Sequence, residues 1–206
     1  NLSKVVLAAC QELNYQYFDP EKTKKILVGY DRRFMAHEFA DSIVPIVLGC
    51  GFEPILTSTY VTTPSCSLFI REFNFLGALV ITASHNPHNW LGLKIKSFQG
   101  CSVDEDFTDK VQSRIFLGNK IKTLYRKYEK INIKDFHLEK IKSQFDTSFI
   151  LASLKKMNIK VFVDSMHGSS ANSIKKLFGE GYEDIIQGIR ENRDPYFGGN
   201  PPEPLL

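Results

Sequence analysis

Apolar positions along this chain alternate between two periods. Residues 4–17 set Val5, Val6, Ala9, Leu13 and Tyr17 near one face at helical spacing, and "FDPEKTKK" at 18–25 ends that pattern. "KILVGYD" at 25–31 is a short unbroken apolar run, as in a strand covered on both faces. Residues 35–49 return to helical spacing, with Pro45 as a candidate kink. Residues 53–56 predict a short strand, and 64–73 a helix capped by Thr62 or Thr63. "LGALVIT" at 76–82 predicts a second buried strand and "LGLKIK" at 91–96 an alternating one. Residues 104–117 predict a helix entered through an acidic first turn. Strands and helices in alternation predict an α/β layer architecture, whose ligands gather beyond the carboxyl ends of the strands.

From 118 to 142 the chain turns Lys-rich and loses its apolar runs, which predicts an inter-domain connection with a solvated basic face and a boundary near residue 136. Beyond it, "NIKVFVDSMHGSSANSIKKLFGEG" at 158–181 predicts strand, glycine-containing turn and helix, the start of a second α/β unit. The expected division is residues 1–119 as the first domain, 120–135 as linker, and 136–206 as the opening of the second. No initiator Met begins the chain, and it ends on "NPPEPLL" after a turn-rich stretch, so it is expected to be a fragment.

Composition narrows the class of partner. With 206 residues, 43% hydrophobic, there is material for one or two ordinary packed domains. Twenty-six basic against 23 acidic side chains give a net charge of +3, too balanced to predict nucleic acid or membrane attraction. A small-molecule partner is expected instead. Cys10, Cys50, Cys66 and Cys101 form no CxxC pair, which favours reduced thiols in a cytoplasm. No apolar run has the length of a membrane span, and the first residues lack the pattern of a signal peptide.

The chemistry concentrates where the strand at 76–82 empties into Ser84-His85-Asn86-Pro87. A hydroxyl at the tip of a rigid element, with Pro87 fixing the exit, suits a nucleophile or group carrier. His85 is an adjacent residue and so poorly placed as a base, no acidic orienting partner is evident, and there is no G-x-S-x-G elbow. These features count against a hydrolase triad. His85 and His88 have no further ligand nearby in sequence and do not make a zinc site. The bland alternative is a Ser-Asn-Pro turn that merely ends a strand.

The string Thr82-Ala83-Ser84-His85-Asn86-Pro87, followed by Gly92 and Lys94, resembles the active-site serine loop of the α-D-phosphohexomutase family, approximately T-[AG]-S-H-N-P, a short gap, then N-G-x-K. "VGYDRR" at 28–33 is similar to the family's first-domain strand and turn. "VDSMHGSS" and "DPYFGGNPPEP" are similar to the opening of its second domain. Leu91 stands where the family usually has Asn. The resemblance covers essentially the whole chain and implies an α/β/α layered first domain with a mixed sheet, its first strand missing here, then the start of a second, similar α/β/α domain.

For function, the resemblance implies a bacterial-type phosphoglucomutase/phosphomannomutase, interconverting hexose 1-phosphate and hexose 6-phosphate. Ser84 would be a phosphoserine that gives its phosphoryl group to the sugar, and the bisphosphorylated sugar would turn and return the other phosphate. Lys94 would be the general acid/base, His85 a catalytic hydrogen-bond donor, and Asn86 and Arg32 phosphate-binding residues. Arg32 is equally readable as part of a structural turn, Lys94 as a solvated strand lysine like Lys96, and His167 and Gly168 as a structural turn. The implied cofactors are Mg²⁺, meeting Ser84 through its phosphate oxygen, and a hexose 1,6-bisphosphate activator. The family's D-G-D-x-D metal loop does not occur in the sequence; Asp104-Glu105-Asp106 is the nearest imitation and is better read as a helix cap. This chain alone is therefore expected to be inactive. Alternatives are an amino-sugar phosphomutase of the same superfamily, disfavoured by "WLGLKIK", and a non-catalytic sugar-phosphate-binding module. The choice of sugar is not legible, because in the family it is made largely in a third domain.

Overall fold

The computed structural model describes residues 1–19 and 23–204, so the interior of the expected break at 18–25 and the last two residues of "NPPEPLL" lie outside it. Its centre is a five-stranded sheet in the order β4-β3-β1-β2-β5. The strands are β1 (Lys25–Tyr30), β2 (Glu53–Thr57), β3 (Gly77–Ile81), β4 (Leu93–Ser97) and β5 (Glu129–Ile131). β4 runs antiparallel to β3 and all other pairings are parallel, which makes the sheet mixed. All five residues of β3 are buried, because helices cover both of its faces and its apolar run needs no polar side. β4 lies at the sheet edge, where lysines are commonly placed to discourage further pairing.

Helices α1 (Leu2–Tyr17), α2 (Ala36–Gly49) and α4 (Glu105–Phe116) pack on one face around Val6, Leu13, Ile43, Leu79 and Phe107. Glu12 is fully buried there; its carboxylate takes a 2.6 Å bond from Arg114 Nε and a 2.7 Å bond from Gln16. Pro45 sits inside an unbroken α2. On the other face, α3 (Thr63–Glu72) starts at Thr62, whose hydroxyl accepts from the Ser65 N–H. Asp104 caps α4 in the same way through the Phe107 N–H, so the acidic trio at 104–106 opens a helix.

The stretch expected as a linker carries more structure than its composition suggests. β5 pairs with β2 at Glu129–Ile131, and α5 (Ile133–Lys142) packs against α3, with Ile133 fully buried and Phe136 edge-on to Phe69 at 5.6 Å. Residues 129–142 thus add a strand and a helix to the first layer system. The cause is a few apolar side chains, Ile131, Ile133, Phe136 and Leu138, spaced among the lysines.

After α6 (Thr147–Lys156) come β6 (Val161–Asp164), α7 (Ser173–Phe178) and β7 (Ile186–Ile189), with β6 and β7 forming a separate parallel pair. The turn after β6 places Met166 and His167 at positive φ, and the His167 N–H donates to Arg190 O at 2.8 Å. That turn faces the carboxyl end of the first sheet, through bonds from Arg32 to the carbonyls of Gly168 and Glu191.

Candidate functional site

β1 and β3 lie side by side and parallel, so residues 31–33 and 82–84 leave the sheet at the same edge. Ser84 is exposed at the tip with φ of 57°. A left-handed backbone in a non-glycine residue is strained by about 1–3 kcal/mol and persists only when neighbours over-determine it. Here they do. The Ser84 N–H donates to Thr82 Oγ1 at 3.1 Å, and the Thr82 hydroxyl donates to Asp31 Oδ2 at 2.6 Å. Asn86 donates to Ala83 O through both its backbone N–H and its Nδ2, at 3.1 and 2.9 Å.

Arg33 holds the rest. Its guanidinium is 1% exposed and donates to four loop carbonyls: Ser84 and Asn86 from NH2, both at 2.8 Å, and Pro87 and Trp90 from NH1, at 2.8 and 3.2 Å. Nε lies 3.3 Å from Asp31 Oδ2. Burial pushes the Asp31 carboxyl above its ordinary range, while the Thr82 hydroxyl and Arg33 pull it back. The loop is therefore wrapped around one fixed cation, with its carbonyls turned inward and the Ser84 side chain left outside.

Ser84 stands on the ridge between two clefts. The first, about 330 Å³, runs from Asp31, Thr62 and His85 across to Ser165, Gly168 and Ser170 of the turn after β6. The second, about 660 Å³, is lined by Lys94, Lys96 and Arg71 and by no carboxylate. Lys94 is half-buried and projects from the same face of β4 as Lys96. Lys96, expected to be solvated, is instead 8% exposed and donates from Nζ to Ser102 Oγ at 3.1 Å. Burial, then the neighbouring Lys94 charge, pulls the Lys96 ammonium below its ordinary range.

Of the residues singled out from sequence, Ser84, His85 and Arg32 meet in the first cleft, and Ser84 and Lys94 in the second. His85 is exposed with Nδ1 3.4 Å from Glu203 Oε2. Asn86 is engaged within the loop. Arg32 is 5% exposed; its NH1 donates to Gly168 O and Glu191 O, and its guanidinium lies over Tyr60 at 4.7 Å. It fastens the two units across the cleft. His167 is likewise structural, its Nδ1 lying 3.0 Å from Asn192 O. Sequence reasoning missed Arg33. Its only sequence signal is a second arginine after the strand-ending aspartate, and a cation that binds backbone carbonyls has no partner residue type to betray it.

Among the described residues no three His, Cys, Asp or Glu side chains gather as a metal-ligand cluster. Nearest to Ser84, Asp31 is committed to Thr82 and Arg33, and Glu203 to His85. The described residues therefore do not by themselves fit the magnesium ion that the resemblance implies.

Comparison with protein families matches residues 1–122 to phosphoglucomutase/phosphomannomutase, alpha/beta/alpha domain I. Similar curated relatives include a phosphoglucomutase of Staphylococcus haemolyticus, 30% identical over 158 residues, covering 73% of this chain and 28% of the relative. Another, from Staphylococcus aureus strain MRSA252, is 27% identical over 186 residues and covers 85% of this chain and 32% of the relative. The chain thus spans about a third of the length of the curated relatives it matches. Among solved structures, a Thermus thermophilus protein assigned as a phosphomannomutase superposes with a TM-score of 0.82 at 28% identity, over 99% of this chain and 44% of that one. The Paramecium phosphoglucomutase parafusin, at a TM-score of 0.81 and 21% identity, covers 100% of this chain and 42% of that one and supports the fold alone. On this fold and this match over more than half its length, the chain belongs to the phosphoglucomutase/phosphomannomutase family, with the family's domain I at residues 1–122.

Proposed function

We propose that the protein carrying this chain is a phosphohexomutase, that it moves a phosphoryl group between the 1 and 6 positions of a hexose phosphate, and that Ser84 is the phosphoryl carrier. The observation behind this reading is the placement of Ser84: strained, exposed, and held by a loop fastened to Arg33, Thr82 and Ala83 between a polar cleft and a cationic one. A hydroxyl so held cannot drift, which suits in-line phosphoryl transfer, a reaction governed by positioning and charge neutralisation.

In this proposal a phosphoryl group resides on Ser84 Oγ and passes to a sugar hydroxyl entering the cleft. Lys94 takes the hydroxyl proton and returns it in the reverse half-reaction, and His85 donates a hydrogen bond to the transferring oxygens. Asn86 keeps the loop closed beneath them. Arg32 adds positive charge to the cleft wall while it fastens the second unit. Magnesium, when bound, would neutralise the phosphoserine, and a hexose 1,6-bisphosphate would prime it; the described residues offer the ion the Ser84 phosphate and no carboxylate cluster. A cytoplasmic site of action belongs to the same proposal. Among the described residues, no helix is long and apolar enough to cross a membrane.

Two measurements test it. Intact-mass spectrometry of the full-length protein should find a fraction carrying one phosphate, mapped by peptide sequencing to Ser84. No phosphate, even after incubation with glucose 1,6-bisphosphate, would leave a sugar-phosphate-binding module as the better reading. Lys94→Met in the full-length protein should lower kcat by about 10²–10⁴-fold with a much smaller change in KM, as for a group that moves protons in the transition state. A raised KM at unchanged kcat would recast Lys94 as a binding residue.

A further inference from the structure

Two thiols that the proposed mechanism does not use face one another at the opposite end of α2 from the Ser84 loop. Cys10 is fully buried on α1, and Cys50 caps the C-terminus of α2 and is half-buried. Both line a cavity of about 290 Å³ together with Gln11, Asn14, Lys120 and Lys122. Asn14 and the two lysines are exposed, so the cavity is reached from solvent. The two side chains line that cavity together, and their helices pack against one another in the main core. The other two cysteines are placed differently: Cys66 is buried in the second core, and Cys101 is exposed beside the cationic cleft.

We propose that Cys10 and Cys50 are an oxidisable dithiol, a modification site at which a hydroperoxide converts two thiols into a disulfide joining α1 to the end of α2. The Cys50 thiolate sulfur attacks one peroxide oxygen; the O–O bond breaks, and the departing hydroxide takes up a proton to become water. Cys50 is then a sulfenic acid. The Cys10 sulfur attacks the Cys50 sulfur, the S–O bond breaks, and the leaving oxygen departs as water with the Cys10 proton. Two thiols have lost two electrons and the peroxide has gained them, giving one disulfide and two waters.

The pair is polarised for these roles. The neighbouring Cys50 thiol and burial raise Cys10 well above its ordinary range, while the neighbouring Cys10 thiol lowers that of Cys50. The half-buried member is thus the better thiolate, and the buried member stays protonated as the resolving partner. Cys66, pushed by burial to about 12, is expected to be inert. A sulfenic acid at Cys50 shares its cavity with a second sulfur, a partner present before any solvent thiol enters, which favours the internal disulfide.

The test uses the 206-residue chain carrying Cys101→Ser, which removes the exposed competitor. Folded protein is exposed to hydrogen peroxide, remaining thiols are alkylated, and proteolytic peptides are mapped by mass. The expected result is a Cys10–Cys50 linked peptide lighter by two hydrogens, reversed by dithiothreitol, with Cys66 still alkylated. In urea the same oxidant should scramble linkages among the three cysteines. Adding Cys10→Ala should remove the linkage and leave a Cys50 sulfenic acid trapped by dimedone, with an unchanged circular dichroism spectrum confirming the fold. Two alkylated thiols at Cys10 and Cys50 after oxidation, a linkage through Cys66 in folded protein, or a Cys50 sulfinic acid with no linkage would each overturn the proposal.

Discussion

Replacing Ser84 with alanine in the full-length protein is expected to lower kcat/KM for glucose 1-phosphate by about 10⁴-fold or more, since a preformed donor held against its acceptor supplies an effective concentration no solute can match. Neither Thr82 nor Ser165, two other hydroxyl residues lining the cleft, is free to take over. Thr82 donates its proton to Asp31 at 2.6 Å and accepts from the Ser84 N–H, and it is 7% exposed. Ser165 belongs to the turn across the cleft and is also 7% exposed. The substitution should leave the fold intact, because the Ser84 side chain makes none of the bonds that hold the loop; its N–H and C=O make them. The check is a dehydrogenase-coupled assay with glucose 1,6-bisphosphate present, alongside thermal unfolding. Substantial residual turnover in a folded variant would end the phosphoserine assignment.

The parts of this molecule that could be read beforehand are those whose physics leaves a period in the chain. β1 and β3 show as apolar runs because both faces are covered, and α1, α2 and α4 show as stripes because only one face is. β5 left no such mark. Its three residues are two exposed charges and one half-buried isoleucine at the sheet edge, too short a pattern to show before the backbone pairing with β2 is seen. α6 buries no residue fully and is equally silent. At the site, the serine, the asparagine turn and the strand lysine stood out through a contiguous motif. The buried Lys96 and the clasp formed by Arg33 did not, because whether a cation is solvated or enclosed depends on what the fold brings to it.

The clasp carries the second large expectation. Arg33→Met in this chain should destabilise the fold by about 3–5 kcal/mol, the usual consequence of removing one partner from a buried ion pair. Four loop carbonyls would lose their donor and Asp31 its counter-charge. Methionine fills much of the volume, so the loss is electrostatic and not a cavity. Arg33→Lys should recover only part of it, since one ammonium cannot span four acceptors in a fixed fork. The pH dependence identifies the cause. In the folded parent, burial already holds the Asp31 carboxyl above its unfolded range, and Arg33 is among the groups that restrain the rise. Without Arg33 it should rise further, so folding leaves a buried, unpaired carboxylate at neutral pH and a neutral acid once pH falls through the raised value. The stability gap between variant and parent should therefore be widest near neutrality and narrow as pH falls, measured by urea unfolding across that range. A gap independent of pH would mean that the lost carbonyl hydrogen bonds and packing, and not the Asp31 charge, make up the cost of removing Arg33. In the full-length protein the same substitution should lower kcat by about 10²-fold under conditions where the variant remains folded, because an unclasped loop lets Ser84 leave its strained position and lose its line on the substrate.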